Sequence, residues 1–315
     1  MMPYILHVSI LLAVCLLFYK LLLHKETFFQ LNRYILLAGL LLSFILPLLS
    51  VPQEWSLRKP AYTVEHTPTA TDFSFTSPPI NSSKPIDEKA VVPPPKQNYL
   101  DVEHLTKAVT WLYWFGVIAF SINFLVQLIT LLYKAYTLPV IIDGRFRIVE
   151  LKGDEAPCSF GNAIFINPEK YDWDTYNQVL LHEKMHIQQG HSFDLLLSEL
   201  VIVFQWFNPL AWLYRKELEN NLEFFTDKQL IEQAQVDKKA YQVSLLKVTA
   251  PHFPLSLTTN YNQSLLKKRL VMMNAKKSNV HIIWKYLFLF PVLIFFVCLL
   301  NEPKSYSRPH VNIIQ

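Results

Sequence analysis

Residues 180–191 read LLHEKMHIQQGH, which places three histidines and a glutamate in a short stretch of a chain that is 51% hydrophobic and only 17% charged. On a helix, residues four apart share a face. His182 and His186 can therefore present two imidazoles to one metal ion. Glu183 points to the side, where it can take a proton from water at the metal without being a ligand itself. Two nitrogen ligands, an open position and a nearby carboxylate are what a zinc hydrolase requires. The pattern is short and recurs by chance, so its weight comes from its surroundings. It lies on a predicted helix preceded by a predicted strand, in the one segment able to fold as a water-facing domain.

The rest of the 315 residues describe a membrane protein. The mild net charge of +4 gives no reason to expect direct nucleic-acid binding. Cys15, Cys158 and Cys298 are isolated and form no CxxC, which argues against a disulfide framework or a thiolate zinc cluster. Residues 3–23, 34–51, 108–133 and 283–300 are apolar runs that approach or exceed the roughly 20 residues needed to cross a bilayer. The first has no basic leader and no small-residue cleavage site, so an uncleaved helix is expected. Lys20, Lys25, Arg33, Lys134, Lys267, Lys268, Arg269, Lys276 and Lys277 fall on one side of four sequential spans, which the basic-residue rule assigns to the cytoplasm.

The expected architecture is thus a membrane α-helical protein with four transmembrane helices and an inserted α+β zincin-like metalloprotease domain. Residues 1–52 hold two transmembrane helices and 53–106 a Pro-rich extracytoplasmic loop. Residues 107–135 form the third helix, 136–281 the cytoplasmic domain, 282–300 the fourth helix and 301–315 a short extracytoplasmic tail. The inserted domain opens with strand-like runs at 138–143, 146–151 and 163–168, the first two joined by an Asp143-Gly144 hairpin signal. A helix is expected from Asp172 to Gly190 and a very apolar one over 194–207, the latter too short to span and so lying in the core or against the membrane. Asn208-Pro209 is a strong start signal for a third helix reaching about Gln233. Residues 263–277 read as a basic amphipathic helix suited to anionic headgroups.

A catalytic zinc needs a third protein ligand. A metzincin would have glycine and histidine where Gln189 and Ser192 stand, so that option fails. His191 reads as a polar residue near the helix end. The alternative is a carboxylate from RKELENNLEFFTDKQLI (215–231), which offers Glu217, Glu219, Glu223 and Asp227. Glu219, Glu223 and Asp227 share a face, as they also would in a solvated acidic stripe. Leu222, Phe224 and Phe225 around Glu223 favour burial, and a buried carboxylate needs a partner or a metal. Asp227, one turn on, could accept a hydrogen bond from a zinc-bound imidazole.

HEKMH, WFNPLAW (206–212), LEFFTD (222–227), CSFGNAIFIN (158–167) and KKRLVMM (267–273) together resemble the BlaR/MecR family of membrane zinc metallopeptidases, over roughly residues 1–300. The resemblance implies a gluzincin-like fold, similar also to the HtpX and Ste24-type proteases. It implies one Zn2+ per chain held by His182, His186 and Glu223, with Glu183 as general base and Asp227 supporting the site. It implies that the strand of Ala163, Ile164, Phe165, Ile166 and Asn167 is the edge to which a substrate peptide adds. The expected partners are membrane lipids and a protein or peptide substrate, with a BlaI/MecI-like repressor the family's target, and a homo-oligomer compatible with the sequence. The expected location is the bacterial inner membrane, with the protease facing the cytoplasm and an antirepressor role in signalling. The rival readings are an HtpX-like quality-control protease and a non-catalytic transducer with a vestigial site. Only NEPKSYSRPHVNIIQ follows residue 300, so direct β-lactam sensing is not expected of this chain.

Overall fold

The computed structural model describes residues 2–52, 54–57, 102–234, 236–249, 261–301 and 303. The Pro-rich loop and the C-terminal tail, expected outside the membrane, lie almost wholly outside the described residues. Helix α1 (Met2–Phe18) runs on through a π-helical turn at Tyr19–Leu23, and α2 is Phe29–Ile45. Helix α3 is Val102–Thr137, and α9 (Trp284–Leu287) and α10 (Leu289–Leu300) close the described chain. Four helical segments are long and apolar enough to cross a membrane: Met2–Leu23, Phe29–Leu48, Glu103–Thr137 and Val280–Leu300. The protein is an α-helical membrane protein with an inserted α+β domain. The prolines mark the irregularities, because proline lacks the N–H that continues a helix. Pro47 sits in the 3-10 turn that ends α2, and Pro291 follows the break between α9 and α10.

Between α3 and α9 lie four strands, β1 (Val140–Asp143), β2 (Phe146–Glu150), β3 (Cys158–Phe160) and β4 (Ala163–Ile166). Helices α4 (Trp173–Gln189), α5 (His191–Phe204), α6 (Pro209–Glu232), α7 (Lys238–Thr249) and α8 (Tyr261–Met273) follow. The expected Asp143-Gly144 hairpin joins β1 to β2 antiparallel, with Gly144 at φ 59°, a left-handed conformation that glycine adopts without strain. The sheet order is β1-β2-β4-β3. This corrects the expectation for Ala163–Asn167. Strand β4 pairs with β2 on one side and β3 on the other, so it is interior, and all four of its residues are buried. The edge strands are β1 and, beyond β4, β3, a strand the apolar pattern does not reveal. Gly161 and Asn162 turn the chain back, so that the short Cys158-Ser159-Phe160 run covers β4.

Helices α5 and α6 form a hairpin that runs up between the spans. At its base, Asn221 Nδ2 donates to the Phe29 carbonyl at 2.9 Å and Lys20 pairs with Glu217 at 3.1 Å. At its tip, Ser9 donates to Gln205 Oε1 at 2.7 Å, Gln205 Nε2 reaches the Ile5 carbonyl at 3.3 Å, and Tyr113 donates to the Phe204 carbonyl at 3.2 Å. From Lys20 back to Ile5 is about 22 Å along α1 at the helical rise, most of the thickness of a hydrocarbon core. Non-helical backbone at that depth is tolerable only where protein satisfies it, and Gln205, Asn208 and Tyr113 do so. Asn208 caps α6 through Leu210 N at 3.0 Å, with Pro209 in the first turn, as the start signal required.

The hairpin seats tightly because glycines face its large residues. Tyr214 of α6 donates to the Leu36 carbonyl at 2.8 Å. A Cβ on Gly39 would stand 2.4 Å from the Tyr214 hydroxyl and 3.2 Å from Cys15 Cβ. Gly39→Ala is therefore expected to lower stability by about 1–3 kcal/mol through overpacking. This would be read as a lower thermal midpoint of the detergent-solubilised protein, and an unchanged midpoint would contradict the close approach of α1, α2 and α6.

Candidate metal centre

Helix α4 carries two of the candidate ligands because its two ends are fixed. Asp172 caps its start by accepting from Thr175 N at 2.9 Å. Gly190, at φ 68°, ends it in the left-handed conformation, with its N–H returned to the His186 and Ile187 carbonyls. Arg33 from α2 donates to the Gln189 carbonyl at 2.8 Å and pairs with Asp194 at 2.7 Å, placing a cation at the helix's negative end. Val179 packs on Ile148, Ile164 and Ile166 of the sheet, while Met185 packs on Leu230 of α6 and Tyr241 of α7. With those two faces committed, His182, Glu183 and His186 lie along the side between sheet and α6.

His182 Nε2 and His186 Nε2 are 3.0 Å apart. Glu223 brings Oε2 to 3.4 Å from His182 Nε2 and Oε1 to 3.4 Å from His186 Nε2. A tetrahedral zinc with bonds of about 2.0–2.1 Å spaces its ligand atoms about 3.3 Å apart, so the three side chains fit that ion. The other ring nitrogens are already engaged. His182 Nδ1 meets the Tyr241 hydroxyl at 2.9 Å, and His186 Nδ1 meets His191 Nδ1 at 2.9 Å. Both imidazoles therefore turn Nε2 toward Glu223, the orientation in which their lone pairs can share one cation. Glu217 and Glu219, the other carboxylates the sequence left open, are elsewhere. Glu217 pairs with Lys20, and Glu219 is absent from the cluster.

Asp227 is 1% exposed and stands 3.6 Å from His182 Nδ1, too far for a direct hydrogen bond. The Tyr241 hydroxyl fills the gap and donates to Asp227 Oδ1 at 2.6 Å. Tyr241 is thus a functional candidate that sequence reasoning missed, on a helix it did not anticipate. Burial and the Asp227 charge hold the Tyr241 phenol well above its usual range, so it stays a donor. His191, expected to be a polar helix-end residue, is instead 1% exposed and backs His186.

Arg269 of α8 was also missed. Its guanidinium reaches Glu223 Oε2 at 2.8 Å and takes Asp227 in a two-pronged pair at 2.6 and 2.9 Å. Burial acts to raise the Glu223 pKa, but Arg269 together with His182 and His186 outweighs it and holds the carboxyl well below the usual carboxylate range. A signal was present in the sequence. Leu265, Leu266, Arg269, Met272 and Met273 share a helix face, which puts one cation in the middle of an apolar stripe, while Lys267 and Lys268 lie off that face and are exposed.

Glu183 is 7% exposed and lies on the β3 side of α4. Helix α4 packs against β3, where Cys158 is exposed. Gly161 donates to Ser192 Oγ at 3.0 Å and so pins the β3–β4 turn to the start of α5. The candidate base thus faces the free sheet edge. Tyr241→Phe is expected to weaken zinc affinity about 10–100-fold, the usual cost of losing a partner of a ligating histidine. Competition with a fluorescent chelator measures this. An unchanged affinity would leave the Asp227–Tyr241–His182 chain without a role.

A family model described as "BlaR1 peptidase M56" matches residues 2–273. No curated protein and no solved structure matches the chain.

Proposed function

The chain belongs to the M56 family of BlaR1-type peptidases, and from that membership and the site geometry we propose that it is a zinc-dependent membrane endopeptidase. The observation that carries this reading is the triangle of His182 Nε2, His186 Nε2 and a Glu223 oxygen, with Glu183 beside it facing an unpaired sheet edge. When bound there, zinc would act as a Lewis acid, polarising a peptide carbonyl and acidifying water.

The protein's own residues supply the remainder. A substrate segment adds as an extended strand along β3, whose outer edge has no partner among the described residues. Backbone hydrogen bonds there fix the register and bring one peptide bond under α4. Glu183 accepts the proton of the attacking water and passes it to the leaving amine. Tyr241 and Asp227 hold the His182 ring, His191 holds His186, and Arg269 holds the Glu223 carboxylate by one oxygen.

The site lies on the side of the membrane where Lys20, Lys25 and Arg33 cluster, which supports a cytoplasmic site in a bacterial inner membrane. The substrate class we favour is a regulatory protein, either a repressor of the BlaI/MecI kind or the chain itself. Purified wild type is expected to bind one zinc per chain, and Glu223→Ala to lose it. Glu183→Gln should keep the metal but lose at least about 10²-fold in cleavage of a BlaI-type repressor or of the chain's own segments. Equal cleavage by Glu183→Gln, or no cleavage by zinc-loaded wild type, would overturn the reading.

A further inference from the structure

A cavity of about 770 Å³ opens where α1 ends, beside α6 and α8. Lys20, Lys25, Lys267 and Lys268 line it, and Glu217 is the one carboxylate among the lining residues. Glu217 is taken by Lys20 at 3.1 Å. Lys25, Lys267 and Lys268 make no ion pair with any described residue. The cavity therefore holds three uncompensated cations around one neutralised pair. The rest of its wall is the polar His24 and Asn220 beside an apolar strip of Tyr19, Phe224, Val271 and Met272.

Its depth is fixed by the spans. Lys20 lies three residues inside the end of Met2–Leu23, and Lys25 lies in the short link before Phe29–Leu48. Helix α8 ends at Met273, shortly before the span that begins at Val280. The lysines therefore sit at the boundary between hydrocarbon and water on the side of the metal centre. The turn Tyr19–Leu23 is π-helical, a local widening that recurs at functional sites. Leu21 and Leu22 follow Lys20 in that turn and are 71% and 38% exposed, apolar surface for acyl chains one step along the helix from a lining lysine.

We propose that this cavity binds the headgroup of an anionic glycerophospholipid. The phosphate sits among Lys25, Lys267 and Lys268, and the glycerol and acyl chains follow the apolar wall past Leu21 and Leu22. A phosphodiester at the membrane boundary meets both halves of the lining: cations for its charge and apolar surface for its tails. A soluble phosphate satisfies only the first half. The proposal goes beyond charge attraction along α8, because it assigns a chamber shared by three helices. It does not depend on the peptidase reading.

Native mass spectrometry of the full chain released from detergent tests this, titrating phosphatidylglycerol against phosphatidylcholine of the same acyl chains. Wild type is expected to favour phosphatidylglycerol by about tenfold or more. The variant Lys25→Gln/Lys267→Gln/Lys268→Gln should lose that preference, and Lys25→Arg/Lys267→Arg/Lys268→Arg should keep it, which separates charge from misfolding. A control that removes three lysines elsewhere, Lys152→Gln/Lys238→Gln/Lys239→Gln, should also keep it. Equal binding of the two lipids by wild type, or equal loss in the control, overturns the proposal. Displacement of phosphatidylglycerol by millimolar inorganic phosphate would assign the cavity to a soluble anion and overturn the lipid assignment.

Discussion

Glu223 and Asp227 stand one helical turn apart, Asp227 buried and Glu223 mostly so, where two bare carboxylates are costly. Burying one ionised group costs several kcal/mol unless it is paired, and a second one a turn away adds repulsion. The fold around α6 is the set of answers to that problem. His182 and His186 come from α4 and Arg269 from α8, two helices that pack on α6, while Tyr241 comes from α7, which packs on α4 and α8 and reaches Asp227 with its side chain. Arg269 is the most committed of these, since one planar guanidinium meets both acids, a geometry lysine cannot copy. A metal at Glu223 would add a further positive charge on the side Arg269 leaves free.

The same helix obeys a different solvent at its other end. Tyr214 and Leu218 are buried against Leu11, Leu12 and Leu36 of the membrane helices. Helix α6 is therefore a single rod, with its first half in the apolar layer and its second half carrying the site. The hairpin tip at Gln205–Asn208 lies level with Ile5 and Ser9, while Glu223 lies near Phe29. Both the candidate metal centre and the basic cavity hang from that rod, through Glu223 on one face and Phe224 on the other.

Much of this was legible from local chemistry. The four spans follow from apolar length, and the ends of α4 and α6 from Asp172, Gly190 and Asn208-Pro209, whose capping acts within a turn. His182 and His186 are legible for the same reason, because an i, i+4 pair needs only its own helix. Glu223 was one of several carboxylates until the family resemblance singled it out. Strand β3 was not legible, since the three residues Cys158-Ser159-Phe160 are too few to show a strand period and pair only because β4 offers them an edge.

Hydrophobic length and helical period are properties of contiguous residues, so the four candidate spans and the helix with two imidazoles can be read along the chain. What completes the site comes from folding. Tyr241 is 59 residues from His182 and Arg269 is 42 from Asp227. Their ionic and hydrogen-bonded roles come from burial that no neighbouring residue encodes. The free sheet edge was decided in the same way. Strand β4 looks like the edge when read alone, and it becomes interior once β3 folds back to satisfy its open hydrogen bonds.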